Sequence, residues 1–123
     1  MTISTVSVTV LIVDDHPGFR RSARALLELE GFEVVGEAAD GASALQLARA
    51  LEPELVLLDV ALPDISGFDV AAGLADAPFK VILTSSRERA DYGGRVQGSG
   101  ALGFVPKDVL TAEALRELLG RDA

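Results

Sequence analysis

The first apolar run, residues 8–13 (VTVLIV), is rich in β-branched side chains and shows no polar alternation, which predicts a strand buried on both faces. Pro17 then opens a helix where its missing N–H is no loss. Phe19, Ala23, Leu26 and Leu27 recur at helical spacing, leaving Arg20, Arg21, Arg24 and Glu28 to a solvated face, and Gly31 supplies a C-cap. Residues 33–39 read as a second strand. Asp40-Gly41 interrupts it before a helical stripe of Ala44, Leu45, Ala48 and Leu51, which Pro53 ends. A third strand over 54–59 leads into a turn at 63–67 and a helix over about 68–75. Residues 79–84 and 102–105 read as strands four and five, and 111–119 as a last helix with Leu115, Leu118 and Leu119 on one face. Between the last two strands a helix is due over 87–100, but Gly93, Gly94, Gly98 and Gly100 break it up. A glycine inside a helix costs about 1 kcal/mol relative to alanine.

Strand and helix thus alternate along the chain, the pattern of a parallel sheet with helices on both faces. The 123 residues suit one domain, with a core over about 8–120. Aromatics are 5% of the chain and Trp is absent, so the core is built from Leu, Val, Ile and Ala. The lack of cysteine excludes a disulfide framework and a thiolate metal site, and agrees with a cytoplasmic location. A net charge of −8 argues against a nucleic-acid surface and suits binding of cations or basic partners. No apolar run approaches a membrane span, and the first ten residues carry no basic start of a signal peptide.

In open parallel sheets, ligands bind beyond the carboxyl ends of the strands. Asp14 and Asp15 end strand one, Asp59 ends strand three, Thr84 with Ser85 and Ser86 ends strand four, and Lys107 follows strand five. Three converging carboxylates repel one another unless a cation intervenes. An all-oxygen donor set favours a hard ion such as Mg²⁺. The lysine and the hydroxyl add donors suited to phosphoryl oxygens. The set suits phosphoryl transfer to a carboxylate, with Asp59 as nucleophile, Lys107 and Mg²⁺ neutralising charge, and Thr84 donating a hydrogen bond.

VDDHP at 13–17, LLDVALPDISG at 57–67, ILTSS at 82–86 and GFVPKD at 103–108 together resemble a response-regulator receiver domain of the NarL type. The likeness runs over nearly the whole chain, in matching order and spacing. It implies a three-layer α/β sandwich with strand order 2-1-3-4-5, as in flavodoxin-like receivers. It further implies that Asp59 accepts a phosphoryl group from the phosphohistidine of a sensor histidine kinase or phosphotransfer protein. The resemblance assigns Mg²⁺ to Asp14, Asp15, Asp59 and the backbone carbonyl of Ala61. It makes Lys107 the partner of the phosphoryl group and gives Thr84 and Phe104 switch roles. The surface of the fourth helix, fifth strand and fifth helix would then change its partners, in a monomer or a phosphorylation-dependent homodimer.

Two readings follow from the likeness, a stand-alone receiver or the receiver part of a longer DNA-binding regulator. The weak fourth helix departs from the family pattern and puts the usual output surface in question. An aspartyl phosphohydrolase is a rival chemistry, but the position two past the nucleophile, where such enzymes hold a general acid, is Ala61. A phosphorylation-independent binding module is the other rival. His16 reads as a helix-start residue and Asp64 as a turn residue.

Overall fold

A computed structural model describes residues 7–120. Five parallel strands form one sheet in the order β2-β1-β3-β4-β5: β1 (Thr9–Val13), β2 (Glu33–Ala38), β3 (Leu55–Asp59), β4 (Lys80–Ser85) and β5 (Gly103–Pro106). Helices α1 (Pro17–Leu29), α2 (Gly41–Leu51), α3 (Gly67–Gly73), α4 (Arg95–Gly98) and α5 (Ala112–Gly120) connect or follow them. The fold class, strand order included, is the one the sequence and its resemblance imply.

The strands separate two cores by strict alternation. Leu11, Val13, Val56, Leu58 and Leu83 face Ala44, Ala48, Val70 and Leu74 of the α2–α3 layer. Val10, Ile12, Leu55, Leu57 and Ile82 face Ala23, Leu27 and Leu115 of the α1–α5 layer. Every residue of β3 is buried, so Asp59 is carried into the protein by the strand it ends. Burial of each such Leu, Ile or Val stabilises the fold by roughly 1.5–3 kcal/mol.

The glycine-broken stretch forms no continuous helix. A 3₁₀ turn over Arg89–Tyr92 is followed by α4, only four residues long. Gly93 takes a positive φ of 58° between them, a conformation that ends the turn and that an L side chain resists. Among the described residues, no helix is long and apolar enough to cross a membrane.

Two expectations, one for α1 and one for the loop after β3, need correction. Arg20 and Arg24 are not simply a solvated face: Arg20 Nε donates to Glu37 Oε1 at 3.1 Å, and Arg24 Nη1 donates to Glu37 Oε2 at 2.7 Å. Asp64 does more than make a turn. Its two carboxylate oxygens accept from Gly41 N at 2.7 Å and Ala42 N at 2.9 Å, capping α2 from 23 residues away. Asp40, the local N-cap, accepts from Ser43 N. The loop after β3 is thereby fastened to the start of α2.

Candidate active site

From β1 the chain departs toward β2 on one side and β3 lies on the other, so a crevice opens beyond their carboxyl ends. Asp14 follows β1 directly and its side chain is fully buried. Its Oδ1 accepts from the backbone N–H of His16 at 2.8 Å and lies 3.0 Å from His16 Nδ1. Asp15 is half-buried, with Oδ1 3.0 Å from the same imidazole nitrogen. His16 is the N-cap residue of α1, exposed, and it makes no side-chain cap.

Asp59 is 2% exposed. Its Oδ1 accepts from Ala61 N at 3.3 Å, and its Oδ2 accepts from Lys107 Nζ at 3.4 Å. Burial pushes the Asp59 carboxyl up to about 6, and the charge of Asp14 adds to this against the pull of Lys107 and of the Ala61 N–H. Lys107 Nζ also lies 2.6 Å from Asp14 Oδ2 and 4.4 Å from the centre of the Phe19 ring. Burial alone would lower the lysine pKa, but the two carboxylates outweigh it and raise it.

Thr84 pairs in register with Asp59 across β3 and β4, which sets the two side chains on the same side of the sheet. Its hydroxyl is buried and has no hydrogen-bond partner. A buried hydroxyl left unpaired costs about 1–3 kcal/mol, a penalty lifted when an acceptor arrives. Ser85, next along, is engaged elsewhere: its Oγ lies 2.6 Å from the Tyr92 hydroxyl and accepts from Arg87 N. Ser86 is exposed.

The donor chemistry fits Mg²⁺. Asp14, Asp15, His16 and Asp59 each present a ligand atom, and these atoms lie within 4.8 Å of one another. Three of the four are carboxylates, the ligands a hard dication takes. Ala61 is exposed in the loop that leaves β3, with its N–H turned to Asp59.

Phe104 is buried in β5, its ring centroid 5.8 Å from that of Tyr92, which in turn meets Phe68 edge-on at 5.2 Å. Tyr92 was not singled out by sequence, because it lies in a segment without helical periodicity. Arg20 escaped as well, since its partners Glu37 and the Asp14 carbonyl belong to other elements.

The model of the response regulator receiver domain family matches residues 10–119. The chain belongs to that family. The NarL-type likeness extends to solved receivers. The signal receiver domain of NarL from Mycobacterium tuberculosis superimposes with a TM-score of 0.82 at 37% identity, covering 94% of this chain and 95% of that one. A two-component response regulator of the LuxR family from Aurantimonas gives a TM-score of 0.83 at 29% identity, covering 94% and 87%. The nitrate/nitrite response regulator protein NarP of Escherichia coli is 44% identical over 103 residues, 80% of this receiver and 47% of NarP. The receiver spans about half the length of the curated relatives it matches. Membership places it in two-component signalling, where receivers act as switches, bind Mg²⁺ at an acidic pocket and interact with histidine kinases or phosphotransfer proteins.

Proposed function

We propose that this receiver is a phosphorylatable switch of a cytoplasmic phosphorelay, with Asp59 as the phosphoacceptor. The observation that carries the reading is the convergence on Asp59 of a lysine and a neighbouring unpaired buried hydroxyl, beside two further carboxylates. Asp14, Asp15, Asp59 and the Ala61 carbonyl would hold Mg²⁺, which when bound supplies positive charge to the oxygens of the transferring group.

In the transfer, an Asp59 carboxylate oxygen attacks phosphorus, the O–P bond forms, and the P–N bond to the donor histidine breaks. The leaving imidazole takes a proton from solvent. Lys107 pairs with a phosphoryl oxygen, giving up part of its contact with Asp14. Thr84 donates its hydroxyl hydrogen bond to a second oxygen. Hydrolysis of the acyl phosphate by water resets the switch. This is self-directed chemistry and not turnover of a separate substrate.

Closure of Thr84 on the phosphoryl group would move the end of β4. Ser85, Tyr92 and Phe104 adjoin that end and carry the change to the surface of α4, β5 and α5. With α4 reduced to one turn, β5 and α5 offer the larger part of that surface. Intact-mass analysis after incubation with acetyl phosphate and Mg²⁺ tests the proposal. One phosphoryl adduct, lost in Asp59→Asn and with a chelator, supports it. No adduct on folded protein, with a phosphoramidate donor also failing, favours a phosphorylation-independent binding module.

A second reading makes this the receiver part of a longer DNA-binding regulator. It rests on relatives named as transcription regulators, of which the receiver spans about half. The length of the native reading frame decides it.

A further inference from the structure

Outside the acidic cluster, a half-buried cation touches the turn that carries it. Arg20 Nη1 donates to the backbone carbonyl of Asp14 at 2.7 Å, while its Nε donates to Glu37 Oε1 at 3.1 Å. The side chain is only 19% exposed. The second oxygen of Glu37 is held by Arg24 Nη1 at 2.7 Å, and Arg24 Nε reaches Glu28 Oε2 at 3.3 Å. The Asp14 N–H donates to the Ala38 carbonyl at 3.0 Å. Both backbone polar groups of Asp14 are therefore fixed, the N–H by the end of β2 and the carbonyl by a guanidinium braced on β2 and α1.

Resting on the cation site just proposed, we infer that Arg20 is a positioning residue for that site and Glu37 its orienting partner. Asp14, Asp15 and Asp59 repel one another, which presses the turn after β1 outward against the contacts of Asp14 with Lys107 and the His16 N–H. The Arg20 clamp opposes the same outward movement. It holds the Asp14 carboxylate where it meets Asp59 and the Asp15 carboxylate beside it. The planar fork suits the task because it bonds two acceptors in fixed directions, which an ammonium cannot reproduce.

The sign of the effect separates this role from a purely electrostatic one. A positive charge beside a dication site opposes metal binding. If Arg20 acted through its charge alone, its removal would tighten Mg²⁺ binding and lysine would restore the wild-type value. If it positions the turn, removal weakens binding although the repulsive charge is gone, and lysine fails to rescue. Loss of a residue that orients metal ligands typically costs 10–100-fold in affinity.

Isothermal titration calorimetry of Mg²⁺ into the domain, with Arg20→Ala, Arg20→Lys and Glu37→Gln beside the wild type, tests this. Far-UV melting confirms that each variant is folded. Both Arg20 variants are expected to weaken Mg²⁺ by about tenfold or more. Glu37→Gln is expected to weaken it severalfold, since one amide oxygen cannot serve both arginines. Unchanged or tighter binding in Arg20→Lys and Glu37→Gln overturns the inference, and these two decide it if Arg20→Ala does not fold. A wild type that binds no Mg²⁺ overturns the proposed cation site and this inference together. A wild type that binds, with variants equal to it, overturns the inference alone.

Discussion

Lys107 lies nearer to Asp14 than to Asp59, with Nζ 2.6 Å from Asp14 Oδ2 and 3.4 Å from Asp59 Oδ2. The lysine is thus the internal cation of the acidic cluster. Without a metal, it sets an ammonium against both buried carboxylates, beside the N–H groups of His16 and Ala61 that each donate to one of them. Removing one partner of a buried ion pair costs about 3–5 kcal/mol, less here because Lys107 keeps some exposure.

Lys107→Ala should therefore lower metal-free stability by about 2–3 kcal/mol. Mg²⁺ should stabilise the variant more than the wild type, since the ion then has no ammonium to displace from Asp14. Urea unfolding with chelator and with saturating Mg²⁺ measures both quantities. Equal Mg²⁺ stabilisation in the two proteins would contradict the competition.

The raised pKa of Asp59 gives a pH dependence. The native carboxyl titrates near 6 against an ordinary 3.8, so the folded state holds the proton more tightly than the unfolded chain. Its contribution to metal-free stability falls as pH rises from 3.8 to 6, and the full penalty stands above that. Asp59→Asn should stabilise the metal-free domain at neutral pH by about 1–3 kcal/mol and leave it unchanged well below pH 4. Thermal melts across that range, with chelator present, report the difference.

Glu37 predicts the opposite slope. The hydrogen bond from Arg24, aided by Arg20, lowers its carboxyl below the usual 4.5 in spite of partial burial. A depressed carboxylate contributes stability above its unfolded value, lost as pH falls through the folded one. Glu37→Gln should flatten the acid limb of the stability curve below 4.5. Melting temperatures of variant and wild type should converge as acid protonates the native glutamate.

Two glycines should respond in opposite ways to alanine. A Cβ on Gly67 would lie 2.2 Å from the Asp59 carbonyl oxygen and 2.7 Å from Val60 Cα, both backbone atoms that cannot swing aside. Gly67→Ala should cost about 3 kcal/mol or more and displace the end of β3 that presents Asp59. A Cβ on Gly98 meets nothing within 4 Å, and its φ is not positive. Gly98→Ala should stabilise by about 0.5–1 kcal/mol through helix propensity and a less flexible unfolded chain. Chemical denaturation of the pair checks both signs.

What was legible in the sequence follows from how local each determinant is. β1 and β3 are uninterrupted apolar runs, and the acids that end them stand where a parallel sheet places ligands. Those features need only neighbouring residues to be read. Asp64 looked like a turn residue because its partners, the first N–H groups of α2, are found only once the chain has folded back. Arg20 has helical spacing on a polar face, and nothing local reveals that Glu37 and the Asp14 carbonyl meet it there. The segment around Tyr92 has no period to read, since its glycines allow a 3₁₀ turn and a short helix where one long helix was due. Phe104 was visible as a strand residue, but its burial against Tyr92 depends on that unreadable segment.

The central claim, that Asp59 carries the phosphoryl group, is tested most directly by trapping the acyl phosphate. The domain is incubated with acetyl phosphate and Mg²⁺, reduced with borohydride and digested, and the peptides are mapped by mass. The account predicts a single reduced site, an aspartate converted to homoserine at position 59, absent when Lys107→Ala or chelator is used with short incubation. Reduction at Asp14, Asp15 or elsewhere, or no reduced residue in folded protein, would contradict it.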